Sequence, residues 1–275
     1  MVTSKLNEMK KFLFFMLFFN VINTMFCDAQ IVFYNNSTGI TAVTNYCFEN
    51  ERAFNLAPNW THIASGGRFS TGEGALFYNS STGLVNIAPS NDLYYTRVNR
   101  TISSGWTHVT TAGGLLFYNS NTGSATLTDY TLNTISTHAL SGGWTHIENY
   151  LGGFLFYNAN SGAATITNGS LATLTSSNNL SGGWSLVVPI GNNILFYKNS
   201  GSATITDRNF RMVWTGNNLS SGWTHILSTC SGVLFYNRNT GAATLTNSTN
   251  LATIRTFNFA TGWTHIEDID SGILR

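Results

Sequence analysis

The chain has 275 residues, of which only 9% are charged, and a formal net charge of +1. That balance excludes a nucleic-acid footprint, which needs a basic stripe. With 43% hydrophobic residues and abundant Phe, Tyr and Trp, it also excludes a disordered chain.

The chain begins with Lys5, Lys10 and Lys11, followed by an apolar run from Phe12 to Phe26 and a small residue, Ala29, after Cys27-Asp28. This pattern predicts a signal peptide over residues 1–29, because the run is short for a membrane span. The mature chain is expected to be secreted and to start near Gln30, with no later segment able to cross a bilayer. Residues 30–275 then form a single domain.

From Ile31 onward one unit repeats. Phe-Tyr-Asn/Lys motifs begin at Phe33, Phe77, Phe117, Phe156, Phe196 and Phe235. They alternate with Trp motifs at Trp60, Trp106, Trp144, Trp184, Trp223 and Trp263, spaced 46, 38, 40, 39 and 40 residues apart. The copy around Phe117 shows the elements. Leu115–Tyr118 is an apolar strand, and Asn119-Ser120-Asn121-Thr122-Gly123 is a hairpin turn whose Asn and Gly supply positive φ. Ala125–Thr128 alternates in the period of a strand, and a third strand falls around Leu132–Leu140. Ser141-Gly142-Gly143 then turns the chain into Trp144-Thr145-His146-Ile147, a strand expected to carry Trp and His on one face. Four strands in about 40 residues, repeated, define the blade of a β-propeller. A solenoid has shorter coils, and a sandwich has no reason to repeat. The fold predicted is an all-β, six-bladed β-propeller of four-stranded antiparallel blades, with Trp263–Ile266 beside Phe33–Asn35 where the ring closes. The stub at Gly272–Arg275 leaves open that a seventh blade has been lost.

One segment departs from the period: Ala64–Gly74 is longer than its counterparts and reads as a loop on one face. Among the sequons, Asn99, Asn168, Asn179, Asn218 and Asn247 fall in or beside turns and are candidate glycosylation sites. Of the cysteines, only Cys47 and Cys230 would remain after cleavage, and the repeat gives no reason for them to meet.

No nucleophile–base motif is present, and the carboxylates Glu73, Asp92, Asp129, Glu148, Asp207 and Glu267 read as falling at different repeat positions. Catalysis, a cofactor and a metal site are therefore not expected; the five Trp-Thr-His histidines, one per blade, are too dispersed to chelate an ion together. What recurs is a flat indole with polar neighbours, a pattern suited to core packing between blades or to stacking on the C–H face of a sugar. One unit sharpens the choice. After Trp184, Leu186 replaces the histidine and Lys198 replaces the asparagine of the next motif, the only departures at either position. Such concerted change points either to a structural His–Asn hydrogen bond or to a shared ligand pocket.

The alternation of Gly-Trp-Thr-His-Ile with Leu-Phe-Tyr-Asn-x-x-Thr-Gly-x-Ala-Thr resembles secreted propeller repeats of the tachylectin-2-like and PLL-like lectins, over essentially the whole mature chain. The resemblance implies sugar binding in pockets between blades, hence glycans of cell surfaces or glycoproteins as partners. The candidate carbohydrate-binding residues are Trp60, His62 and Asn79; Trp106, His108 and Asn119; Trp144, His146 and Asn158; Trp223, His225 and Asn237; and, across the closure, Trp263, His265 and Asn35. The other reading is a non-catalytic extracellular structural or protein-interaction propeller, which fully enclosed Trp and His rings would favour.

Overall fold

A computed structural model describes residues 30–65 and 74–269. The predicted signal peptide, most of the long loop after Ala64 and the C-terminal stub lie outside the described residues.

The described chain is all strand and turn. Strands β1 (Gln30–Tyr34), β2 (Ile40–Asn45) and β3 (Asn50–Asn55) open it. Next come β4 (His62–Ser65), β5 (Gly74–Tyr78), β6 (Leu84–Pro89) and β7 (Val98–Thr101). The third group is β8 (His108–Thr111), β9 (Leu115–Tyr118), β10 (Ser124–Thr128) and β11 (Thr134–Ala139). The fourth is β12 (His146–Tyr150), β13 (Gly153–Tyr157), β14 (Ala164–Asn168) and β15 (Thr173–Ser177). The fifth is β16 (Leu186–Ile190), β17 (Asn193–Tyr197), β18 (Ala203–Thr206) and β19 (Met212–Gly216). Finally come β20 (His225–Thr229), β21 (Gly232–Tyr236), β22 (Ala242–Thr246), β23 (Thr253–Asn258) and β24 (His265–Asp268).

These strands form six antiparallel four-stranded sheets. Strand β24 pairs with β1 in the register Phe33↔Ile266 and Tyr34↔His265, so the first blade combines the first and last described strands. Blades two to six follow in chain order. The inner strands β24, β4, β8, β12, β16 and β20 each contact the next, and β20 returns to β24, so six blades close the ring. The fold is the six-bladed β-propeller expected from the repeat.

Burial explains the pattern within a blade. The second strand is packed on both faces, and its Phe and Tyr are essentially inaccessible: Phe117 and Tyr118 are each 0% exposed. That is why it reads as an unbroken apolar run. The outermost strand, such as β11, meets solvent and reads as mostly polar. Blades meet through aromatic rings: Tyr78 packs edge-on against Phe117, Tyr118 against Phe156, and Tyr157 against Phe196, at centroid distances of 5.9, 6.3 and 5.5 Å. The turn glycines are tied to this geometry. Gly123 has φ +74°, and a Cβ there would lie 2.1 Å from the Leu140 carbonyl oxygen, so the turn can press against the end of the outer strand only without a side chain.

The inner strand begins at His, not at Trp. The residue before each Trp adopts positive φ, Gly105 at +85° and, in the one exception to Gly, Asn59 at +72°. This corrects the expectation that Trp and His share a face. After the kink, Trp packs with Phe, as in Trp144–Phe156 at 5.7 Å, whereas His packs on Tyr on the other side, as in His146–Tyr157 at 5.8 Å.

Candidate functional site

The three residue types singled out from the repeat fall in three different places. The histidines stitch neighbouring blades around the central channel. Nε2 of His62, His108, His146, His225 and His265 lies 2.8, 3.1, 3.0, 3.0 and 3.0 Å from the main-chain carbonyl of Thr107, Thr145, Ser185, Thr264 and Thr61 in the next blade. A carbonyl only accepts, so Nε2 carries the proton and Nδ1 is left as an acceptor. The hydroxyl of the preceding threonine meets that need: Thr107 Oγ1 is 2.9 Å from His108 Nδ1 and also accepts the Ser120 amide at 2.9 Å. The same hydroxyl lies 3.1 Å from the Tyr118 carbonyl, which it reaches when it does not face the ring. Burial pushes the protonation of all five downward, most for His265, to about 4, where the charges His62 and His225 would carry add to burial and the Thr61 carbonyl opposes it.

The asparagines do not hydrogen-bond these histidines. Asn35, Asn79, Asn119 and Asn237 donate from Nδ2 to the carbonyl of Gly262, Asn59, Gly105 and Gly222, at 2.9–3.0 Å. Their Oδ1 accepts the amides two and three residues on, and Asn158 Oδ1 likewise accepts the Asn160 and Ser161 amides. Each asparagine thus holds a hairpin turn, and in those four blades it also fixes the kinked residue before Trp. The divergent unit fits this division. Leu186 cannot bond the Thr224 carbonyl, and the Lys198 ammonium instead sits 4.8 Å over the Trp184 ring.

The tryptophans pack at the junctions between blades. Trp60 is buried, but Trp106, Trp144, Trp184, Trp223 and Trp263 are partly exposed. Their position is fixed from the previous blade. Tyr118 Oη donates to the Ser141 carbonyl at 2.8 Å and accepts the Trp144 amide at 3.4 Å, and Tyr34, Tyr78 and Tyr197 repeat the arrangement. Beside Trp144 a crevice of about 190 Å³ opens between the third and fourth blades. Leu140, Leu171, Phe156 and the indole supply apolar walls, and Ser141, Thr165, Thr167 and Thr173 bring hydroxyl-bearing side chains to it.

A second void, about 370 Å³, is the central channel, walled by the histidine-bearing strands. It contains residues that the sequence reading passed over. Glu148 and Glu267 both stand four residues after a Trp, in Trp144 and Trp263 units, so the carboxylates do recur at one repeat position. Aligning the six units from each Trp, instead of scanning for acid–base motifs, would have found them.

Of the candidate glycosylation sites, Asn99, Asn168, Asn179 and Asn218 are exposed and Asn247 is partly exposed. Asn168 and Asn247 use Oδ1 to hold the turn after the third strand of the blade, and Nδ2, the atom a glycan would occupy, makes no hydrogen bond with a described residue. Cys47 is an exposed free thiol and so does not pair with Cys230.

The fold defines the class: a six-bladed β-propeller of four-stranded antiparallel sheets. No family model matches the chain, and no curated protein matches it. Solved structures do. A protein of unknown function from Bacteroides caccae aligns with a TM-score of 0.62 at 13% identity, covering 88% of this chain and 98% of its own. A chain of the nidogen/laminin complex aligns at 0.62 and 10% identity, over 89% and 100%. PorZ, a surface component of the type-IX secretion system of Porphyromonas gingivalis, aligns at 0.54 and 13%, over 86% of this chain and 32% of its own. At such identities the likeness is one of fold.

Proposed function

We propose that this propeller is a secreted carbohydrate-binding protein with repeated sites in the inter-blade crevices, acting without catalysis or cofactor. The observation that carries the reading is the partial exposure of five of the six repeat tryptophans, one of which walls a crevice of sugar size beside several hydroxyl-bearing side chains. A flat apolar ring next to hydroxyl groups is suited to a pyranose, which offers C–H bonds on its faces and hydroxyls at its edge. In this arrangement Trp is the platform, while the His and Asn of each unit hold the backbone that presents it. Near-identical sites around one ring gain strength on a multivalent surface through effective concentration.

A glycan array probed with the folded, secreted protein is the test. Binding to a defined sugar, lowered at least about tenfold by Trp144→Ala combined with Trp106→Ala, supports the reading. Folded protein that binds no glycan overturns it and leaves a structural or protein-interaction propeller.

A further inference from the structure

The central channel is not explained by a crevice lectin. Strands β12 and β24 lie three blades apart along the ring in either direction, so they form opposite walls of the channel. Two residues beyond its histidine, each brings a glutamate to that channel, Glu148 and Glu267. The other four strands carry Ala64, Thr110, Val188 and Leu227 at this level.

No described residue donates a hydrogen bond to the Glu267 carboxylate. Burial raises its proton affinity well above that of an ordinary carboxylate, and the negative charges of Glu148 and Asp268 raise it further. An ionised carboxylate enclosed in this way is costly unless it is paired. The five histidines facing the channel do not supply that partner, because their Nε2 is spent on carbonyls.

The walls narrow the chemistry. A hard divalent ion asks for about six converging oxygens, and among the described residues no group of three or more His, Cys, Asp or Glu is placed to hold a metal. Between the two carboxylates the lining is largely aliphatic, through Ala64, Val188 and Leu227. Two opposed carboxyl groups separated by aliphatic surface complement a hydrocarbon chain with an ammonium group at each end. We propose that the central channel binds a small aliphatic diamine, one ammonium on Glu148 and the other on Glu267. Binding favours the ionised form of Glu267 and so draws off protons that burial favours there.

Isothermal titration of the folded protein with putrescine, and with shorter and longer α,ω-diamines, tests this. Saturable binding at one site per chain is expected, with proton release seen as a heat that depends on the ionisation enthalpy of the buffer. Glu148→Gln and Glu267→Gln should each weaken it at least about tenfold without lowering the melting temperature. Gln keeps the shape and removes the charge, and either variant alone suffices for the comparison. Failure of every diamine to bind, binding by either variant as tight as that of the parent, or binding of calcium chloride in place of the diamines overturns the proposal. Glycan binding by the crevices should be the same in both variants, so the two sites stand or fall separately.

Discussion

At the scale of single residues, each recurrent polar side chain of the repeat is tied to main-chain groups. Tyr118 is the clearest case, since its hydroxyl both donates to Ser141 and accepts from the Trp144 amide while its ring is 0% exposed. Tyr118→Phe keeps the packing and removes only the oxygen, leaving a carbonyl and an amide at the crevice without their partner. The expected cost is about 1–2 kcal/mol of stability, because a buried polar group left unmatched costs more than a hydrogen bond contributes. Denaturant unfolding of the variant measures it; an unchanged midpoint would mean that water replaces the hydroxyl at no cost. Because Tyr118 also positions the Trp144 backbone, the same variant should lose affinity at that crevice.

At the scale of the inner strand, the histidine works as a clamp between blades, and the unit with Leu186 is a natural deletion of that clamp. His108→Leu copies it elsewhere in the ring. It leaves the Thr145 carbonyl without its 3.1 Å donor and frees the Thr107 hydroxyl to turn to the Tyr118 carbonyl, 3.1 Å away. Stability should drop by about 1–3 kcal/mol, while glycan binding at Trp106 should fall less than it does in Trp106→Ala; equal stability of variant and parent in thermal melts would remove the clamp. The strand also shows how far the sequence could be read. Period, strand count and ring closure were legible because hydrophobic runs and turn residues are local signals. The roles of His and Asn were not. Their concerted loss at Leu186 and Lys198 suggested mutual contact, but the partners are main-chain carbonyls, which carry no side-chain signature. The kink at Gly105 likewise moved Trp to the face opposite His, something that alternation along an ideal strand cannot foresee.

At the scale of the whole molecule, the ring gathers groups whose protonation opposes one another. The five histidines favour their neutral form in the folded state, His265 with its value lowered to about 4 from the ordinary 6.5. Between those two values the unfolded chain binds more protons, so stability falls as pH drops from about 6.5 toward 4. For His265 alone the loss amounts to on the order of 3 kcal/mol. Glu267 acts with the other sign. Its folded proton affinity is raised, so the stability it contributes is complete below 4.5 and declines as pH rises toward its folded value. One carboxyl opposes five imidazoles, and the melting temperature should therefore fall on acidification from pH 7 to pH 4.5. Glu267→Gln should remove the opposing slope, so that the variant exceeds the parent by a margin that widens as pH rises, and its own acid loss is steeper. Calorimetric melts across this range decide the matter. A melting temperature that is flat or rises on acidification would mean that the clamps tolerate imidazolium, with the threonine hydroxyls accepting from Nδ1 and donating to the tyrosine carbonyls instead.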